Sequence, residues 1–357
     1  MRAMAKVLAA MSGGVDSSVA ALLLRQQGHE CVGCTMKLYD NQQAGLAAGR
    51  SCCTLEDVED ARSVAYRLGM PYYVFNFKDA FAEKVMGKFV DSYRAGLTPN
   101  PCIDCNRYMK FEKLMERARI LGCEYLATGH YARIECRGGQ YLLKKGLDES
   151  KDQSYMLYTM TQEQLAHALF PLGGLRKEQV RQLALEEGLV TAAKPDSQDI
   201  CFVPDGDYAA MIERHTGLLS PDGNFIDSRG IVLGRHKGII RYTVGQRRGL
   251  GISAREPLYV CALSAEANTV TLGSREELFR QEADVSAFHW ISGQVPDGPI
   301  HCRVKLRYRQ PEQEATVYPQ GREAVHIRFR QLQRAVTPGQ AAVLYDGETV
   351  LGGGTIL

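Results

Sequence analysis

The amino-acid sequence predicts an α/β protein with an N-terminal doubly wound parallel sheet, a small central domain and a C-terminal β-barrel. Three observations carry that prediction. Through the first half, short apolar runs alternate with stretches of helical spacing. A Gly-Gly loop rich in serine stands between the first apolar run and the first helix. From about Glu276 onward helical spacing is rare, and short alternating runs are separated by Gly, Pro and Asp-Gly turns. At 357 residues the chain is longer than one core usually serves. The expected domains are 1–203, 204–275 and 276–357.

The elements follow in order. Lys6 to Met11, "KVLAAM", is an apolar run fit for a buried parallel strand. "SSVAALLLRQQG" reads as a helix closed by Gly28. "CVGCTMKLY" is a second strand. Val58, Ala61, Val64, Ala65 and Leu68 then recur at helical spacing. "PYYVFNF" is a third strand, and Phe81, Val85, Phe89 and Tyr93 mark another helix. "LTPNPCIDCN" reads as a polar loop stiffened by two prolines. "MKFEKLMERARILG" reads as a helix and "CEYLATGHYARI" as one strand. Near Pro195 the rhythm changes to loop, with one more helix at "DYAAMIERHTG". The Gly- and Arg-rich stretch after it reads as a small irregular domain.

Composition excludes several classes. Hydrophobic residues make up 45% and charged residues 24%, as in ordinary globular proteins. No run of roughly 18 apolar residues is present, so no membrane span is expected. The N-terminus reads as a strand rather than a signal peptide, and the expected compartment is the cytoplasm. A net charge of +2 says nothing about nucleic acid by itself. The 11 cysteines are an odd number, which argues against a disulfide scaffold in such a compartment. Cys31 and Cys34 lie inside a strand and read as packing residues, as do Cys123, Cys136, Cys261 and Cys302. Cys52 and Cys53 receive no assignment.

The strongest local signal is "MSGGVDSS", Met11 to Ser18. Glycines at 13 and 14 let backbone N–H groups approach an anion, serine hydroxyls add donors, and a helix N-terminus adds its dipole. Neither G-x-x-x-x-G-K-[ST] nor G-x-G-x-x-G occurs. The Asp16 carboxylate would repel phosphate, so a Mg²⁺ ion is expected between them. The string resembles the loop of the pyrophosphate-loop ATPases, an adenine nucleotide alpha hydrolase-like group that cuts ATP between the α and β phosphates.

Three cysteines stand apart. Cys102, Cys105 and Cys201 occur in polar surroundings, where a thiol near donors and helix ends becomes a nucleophile. With them in view, "MSGGVDSSVAALLL", "TPNPCIDCNRYMKF", "ATGHYAR", "KDQSYMLYTM", "DSQDICFV", "YTVGQRRGLGI" and "TPGQAAVLYDG" together resemble the tRNA-specific 2-thiouridylase family. The resemblance runs from about residue 6 to the C-terminus. It implies thiolation of the wobble uridine of tRNA, with ATP and Mg²⁺ as cofactors, and a tRNA and a sulfur-donor protein or persulfide relay as partners. It implies ATP binding by Ala10, Met11, Ser12, Gly13, Gly14, Val15, Asp16 and Ser17, with Met36 and Gly129. Cys105 matches the nucleophile and Cys201 the persulfide carrier, a pair able to form a disulfide. Asn100, Pro101 and Cys102 would face the uridine. His130, Lys151, Asp152, Gln153, Arg307, Tyr308 and Gln340 match tRNA-contacting positions. Some members carry Asp where this chain has Cys102, and a thiol is a poorer acid/base at neutral pH. Three thiolates on Cys102, Cys105 and Cys201 are also enough for a [4Fe–4S] cluster carrying sulfide at an open iron. Two sulfur routes therefore stand open.

The tail carries an independent hint. Arg303, Lys305, Arg307 and Arg309 alternate with Val304, Leu306 and Tyr308, which on a strand puts four cations on one face. His326, Arg328 and Arg330 repeat the device. Such faces suit an RNA backbone. Rival readings are an amide-forming synthetase of the same fold and a zinc-stabilised RNA-binding protein.

Overall fold

The structure, a computed structural model, describes residues 4–39, 55–196, 200–203 and 205–357. Cys52 and Cys53 lie outside the described residues. Strands β1 (Lys6–Ala10), β2 (Glu30–Lys37), β3 (Tyr72–Asn76) and β4 (Tyr125–Ala127) run parallel in the order β3-β2-β1-β4. The first strand shows why. Val7, Leu8 and Ala9 are all buried, with Val7 and Ala9 packed into one apolar layer and Leu8 into the other. A strand covered on both faces needs helices on both sides of its sheet. The helices Val15–Gln26 and Leu55–Arg67 supply Val19, Ala61 and Val64 to one layer. Helical residues Phe81, Phe89 and Phe111 fill the other.

The run "CEYLATGHYARI" is not one strand. β4 ends at Ala127, and β5 (Ala132–Arg137) forms a hairpin with β6 (Gln140–Lys145) in a different sheet. Apolar residues continue across the break because Leu126 and Ala127 before it and Tyr131 and Ala132 after it are all buried. Thr128 to His130 are thereby left as a turn at the carboxyl end of β4. The parallel sheet is then extended by β7 (Ala168–Leu169) beside β4.

The cysteine stretch also differs from the polar loop expected of it. Pro101–Asp104 is helical, Cys105–Leu114 continues as a π-helix and Met115–Ile120 as an α-helix. The Asn100 side chain accepts from the Cys102 N–H at 3.2 Å, and Pro101 occupies the first helical position. Asn at the cap with Pro next is a helix-start signal that the prolines' reputation as loop formers had masked.

The central domain is more regular than the sequence suggests. After the helix Tyr208–Thr216, strands β8 (Gly223–Ile226), β9 (Val232–His236), β10 (Tyr259–Ser264) and β11 (Thr269–Gly273) pair in the order β10-β11-β8-β9. The parallel β8–β11 pairing joins residues about 45 apart in sequence, so no local pattern announces it. Strands β12 (Phe279–Trp290), β13 (Ile300–Lys305), β14 (Gln313–Pro319), β15 (Val325–Arg334), β16 (Ala341–Asp346) and β17 (Thr349–Ile356) follow, all antiparallel to their neighbours. Their order is β12-β15-β14-β13-β16-β17, and β12 also pairs with β17. That pairing closes a six-stranded barrel around Val304, Val317, Ile327 and Leu344. β6 joins β17 at Lys144 and Thr349, which ties the N-terminal domain to the barrel. The glycines at 352–354 permit close approach there: a Cβ on Gly353 would lie 2.8 Å from the Tyr158 ring.

Phe202 is 1% exposed and sits edge-on between Phe81 and Phe89, at 5.6 and 5.3 Å. It anchors the segment that carries Cys201. Phe202→Ala is expected to cost about 3–5 kcal/mol, read as a lowered urea-unfolding midpoint.

Candidate functional site

The order β3-β2-β1-β4 reverses its winding between β1 and β4, and the loops after these strands border the resulting crevice. Met11 to Gly14 form the first loop. Gly13 has φ +77°, and a Cβ there would lie 2.3 Å from the Asp57 carbonyl oxygen. Ser17 Oγ accepts from the Ser12 N–H at 3.0 Å and meets Ser12 Oγ at 3.2 Å. Ser17 and Ser18 Oγ donate to the Gly14 carbonyl at 3.1 and 2.9 Å. The loop is thus braced by its own hydroxyls. No side chain caps the helix that starts at Val15, so its first N–H groups remain available to an anion. Gly129 closes the crevice from the other side. A Cβ there would lie 2.9 Å from the Ser17 nitrogen and 3.0 Å from the Asp16 carbonyl carbon. Met36 stands at the carboxyl end of β2, next to β1.

Asp16 does not wait for a metal. Lys177 Nζ donates to both its oxygens at 2.7 and 2.8 Å, and the Tyr131 hydroxyl donates at 2.7 Å. The ammonium also pairs with Asp196 at 2.8 Å, and Lys151 and Arg181 each bond Asp196 at 2.9 Å. Burial would raise the Asp196 pKa, but its bonds to Lys177 and Lys151 outweigh it and bring it down to about 2. Burial and Asp16 together raise the Tyr131 pKa, so its hydroxyl keeps the proton it donates. Asp16 in this arrangement does not fit as a free magnesium ligand. Sequence reasoning missed Lys177 and Asp196, which lie 161 and 180 positions from Asp16.

The cysteine helix is held by the barrel. Thr98 donates its N–H to the Pro338 carbonyl at 2.9 Å, and Gln340 Nε2 donates to the Thr98 carbonyl at 2.7 Å. Asn100 Nδ2 reaches Met156 Sδ at 3.4 Å. Cys102 is exposed, while Cys105 and Cys201 are half-buried. Burial pushes the Cys105 pKa up, Lys110 opposes it and Asp104 adds to it. The thiol at rest is therefore protonated, contrary to the activated nucleophile expected. The Cys201 carbonyl accepts from the Tyr39 hydroxyl at 2.7 Å. Among the described residues no three His, Cys, Asp or Glu side chains are gathered to hold a metal ion.

The other cysteines divide. Cys31 and Cys34 are buried in β2, and burial pushes the Cys31 pKa up to about 11. Cys123 is buried, and Cys261 and Cys302 are half-buried in strands. Cys136 is exposed on β5, so it is not a packing residue. β5 is the edge of its sheet, with a solvent face that alternation alone does not reveal.

Several positions expected to touch tRNA are bonded inside the protein. His130 is 6% exposed, between Phe111 and Phe170 at 6.0 and 5.7 Å. Its Nδ1 lies 2.7 Å from Thr128 Oγ1 and its Nε2 lies 3.3 Å from Lys110 Nζ. An ammonium has no lone pair, so Nε2 accepts and Nδ1 carries the proton. Burial and then the Lys110 charge hold the His130 pKa well below 6.5, in line with that neutral ring. Asp152 is buried and accepts from Gly146 and Ser154, while Gln153 accepts from the Tyr131 N–H at 3.1 Å. Arg307 donates to the Val244 and Ala335 carbonyls and to Thr337 Oγ1, bracing the central domain against the barrel. Tyr308 is half-buried beside Tyr155, with ring centroids 6.0 Å apart.

The two basic faces fare differently. On β15, Val325, Ile327 and Phe329 point inward while Arg328 and Arg330 are exposed, as expected. β13 ends at Lys305, so Arg307 and Arg309 leave the strand and the four cations share no face. A groove of about 710 Å³ lies along the barrel, lined by His301, Arg303, Tyr318, Arg328 and Arg330. Its charge is mixed, because Glu314, which pairs with Arg330 at 2.7 Å, and Asp346 line it too.

Residues 5–205 match the family described as the tRNA methyl transferase HUP domain. Residues 210–274 match its PRC-barrel domain, and residues 280–356 match the aminomethyltransferase beta-barrel domain. The chain is similar to the tRNA-specific 2-thiouridylase MnmA of Clostridioides difficile (strain 630), with 47% identity over 353 residues covering 98% of each chain. It is similar to the protein of the same name in Acetivibrio thermocellus, with 50% identity over 355 residues covering 98% of this chain and 99% of that one. A solved 4-thiouridine synthetase–RNA complex with bound ATP aligns with 59% of this chain and 53% of that one at 18% identity and TM-score 0.38. That likeness is too low to add to the fold.

Gly129→Ala is expected to weaken ATP binding about tenfold, because a methyl at 2.9 Å from the Ser17 nitrogen must displace the loop. Isothermal titration reads this, with circular dichroism unchanged. Alkylation of Cys105, followed by peptide mass spectrometry across pH, is expected to show a midpoint above the free-thiol value of about 8.5, in the direction burial sets.

Proposed function

The chain belongs to the tRNA-specific 2-thiouridylase family, and on that premise we propose that it catalyses ATP-dependent 2-thiolation of the wobble uridine of tRNA. The observation that carries this reading is the short physical path between the phosphate loop and the cysteine helix. Gly129 packs on Ser17, and the next residue, His130, meets Lys110, five positions beyond Cys105 on the same helix. A nucleotide in the loop and a base beside Cys105 would therefore be neighbours.

In this reading ATP lies in the crevice with its β and γ phosphates on the loop amides. The uridine is flipped out so that its C2 oxygen attacks the α phosphorus, releasing pyrophosphate. The C2 oxygen then leaves as part of AMP. The terminal sulfur of a persulfide on Cys201 attacks C2, and the Cys105 sulfur, once deprotonated, attacks the Cys201 sulfur. The S–S bond of the persulfide breaks, its terminal sulfur stays on the base as 2-thiouridine, and a Cys105–Cys201 disulfide remains for a reductant. A sulfur-donor protein or persulfide relay reloads Cys201. Magnesium bound with ATP would screen phosphate charge, and no step here is assigned to Asp16 as its ligand. A [4Fe–4S] cluster on Cys102, Cys105 and Cys201 would be the other source of sulfur; the steps above follow the persulfide route.

Asn100 and exposed Cys102 would face the uridine, while Pro101 is buried and would act by fixing the helix start between them. Lys151, half-exposed, and the barrel groove around Arg303 and Arg328 would meet tRNA phosphates. His130, Asp152, Gln153, Arg307 and Gln340 would act by holding that surface rather than by touching RNA. No helix among the described residues is long and apolar enough to cross a membrane, and the proposed compartment is the cytoplasm.

Unmodified tRNA incubated with the protein, Mg·ATP and a sulfide source should gain 2-thiouridine by nucleoside mass spectrometry. Cys201→Ser should abolish that gain and keep ATP binding. Normal thiolation by this variant would refute the persulfide role.

A further inference from the structure

A carboxylate inside a phosphate loop is an electrostatic anomaly. At neutral pH Asp16 brings a negative charge into the first turn of the helix that should receive a polyanion. Uncompensated, like charges a few ångströms apart in a partly desolvated crevice oppose binding strongly. The expected remedy was a divalent cation between carboxylate and phosphate. The structure contains a different remedy within the chain.

Lys177 is the first residue of the helix Lys177–Glu186, and its side chain is 9% exposed. Its ammonium bonds both oxygens of Asp16 and one of Asp196. Its backbone N–H donates to Asp148 at 2.9 Å, fixing where the side chain starts. The Tyr131 hydroxyl takes a further lone pair of Asp16, and the Lys177 ammonium lies 5.9 Å from the Tyr131 ring centroid. A second cation arriving at Asp16 would meet an ammonium already 2.7–2.8 Å from the same oxygens. The wider cluster sets Lys177, Lys151 and Arg181 against Asp16, Asp196 and the nearby Asp148 carboxylate, so charge beside the loop is balanced within the chain.

We propose that Lys177 is the built-in counter-cation of the phosphate loop: it neutralises Asp16, so the loop takes a nucleotide triphosphate without a divalent ion between Asp16 and the phosphates. Asp16 in turn orients the ammonium, and Tyr131 and Asp196 keep both groups in place. Divalent ions then serve the phosphates during turnover and are not needed to seat the nucleotide. This inference rests on the reading of the crevice as an ATP site. Lys177 is a positioning residue, acting on the nucleotide through Asp16.

The test is equilibrium binding of ATP to the full chain by isothermal titration, with Mg²⁺ and again with excess EDTA. The wild-type protein should bind in EDTA within roughly threefold of its affinity in Mg²⁺, as expected where the loop is already neutral. Lys177→Met should lose about tenfold or more in EDTA, because Asp16 is left unpaired. The double variant Asp16→Asn with Lys177→Met should regain most of that loss, since it removes the repelling charge together with its partner. A merely structural lysine would not be rescued this way. Should the single variant fail to fold, the double variant still decides: near-wild-type binding in EDTA supports charge balance, and binding as weak as tenfold below it overturns it. Loss of wild-type binding in EDTA alone, or undiminished binding by folded Lys177→Met, overturns the proposal. Absence of wild-type binding even with Mg²⁺ would instead overturn the ATP-site reading, and this inference with it.

Discussion

The contact between Gly129 and the amide of Ser17 is the constraint on which the site depends. Two loops that leave adjacent parallel strands in opposite senses must meet over one crevice, and at this meeting there is no room for a side chain. The phosphate loop is pressed into shape from that side, and from the other by the Asp57 carbonyl against Gly13. Everything that approaches the crevice is referenced to these backbone contacts. His130 follows Gly129 directly, so its ring, Lys110 and the helix bearing Cys105 inherit their distance from the loop.

The barrel's part is mechanical. The helical run from Pro101 to Ile120 starts on a turn whose first N–H groups have no helical partner ahead of them. Gln340 and the Pro338 carbonyl grip Thr98 just ahead of it, Tyr155 donates to the Ala341 carbonyl at 2.9 Å, and β6 is stitched to β17. Arg307 ties the central domain into the same frame. Its burial depresses its pKa, yet a guanidinium remains charged at any relevant pH, and three oxygen acceptors receive it. Arg307 is thus a bracket between domains.

Charge in the site is arranged for restraint. Cys105 is kept protonated by burial, His130 is kept neutral, and Asp16 is matched by an ammonium. A thiolate exposed at all times would invite oxidation and disulfide exchange. Burial that holds the Cys105 thiol in its protonated form limits both. Lys110 lowers the cost of that ionisation, since its charge opposes the effect of burial on Cys105.

Much of the architecture was legible in the amino-acid order because its signals are local. Period-two and helical spacing reveal strands and helices within a dozen residues, and S-G-G-x-D-S-S between them marks the anion loop at a strand's end. The Asn100–Pro101 helix start was equally local and was simply misread. What the order of residues could not disclose is pairing over distance. Lys177 meets Asp16 across 161 positions, Gln340 meets Thr98 across 242, and β8 lies parallel to β11. No periodicity encodes these contacts, because each is set by how whole layers pack. The same reason explains why the family resemblance, which matches His130 and Arg307 to tRNA-contacting positions, does not disclose how far each is enclosed: exposure is decided only by what the folded chain places around a side chain.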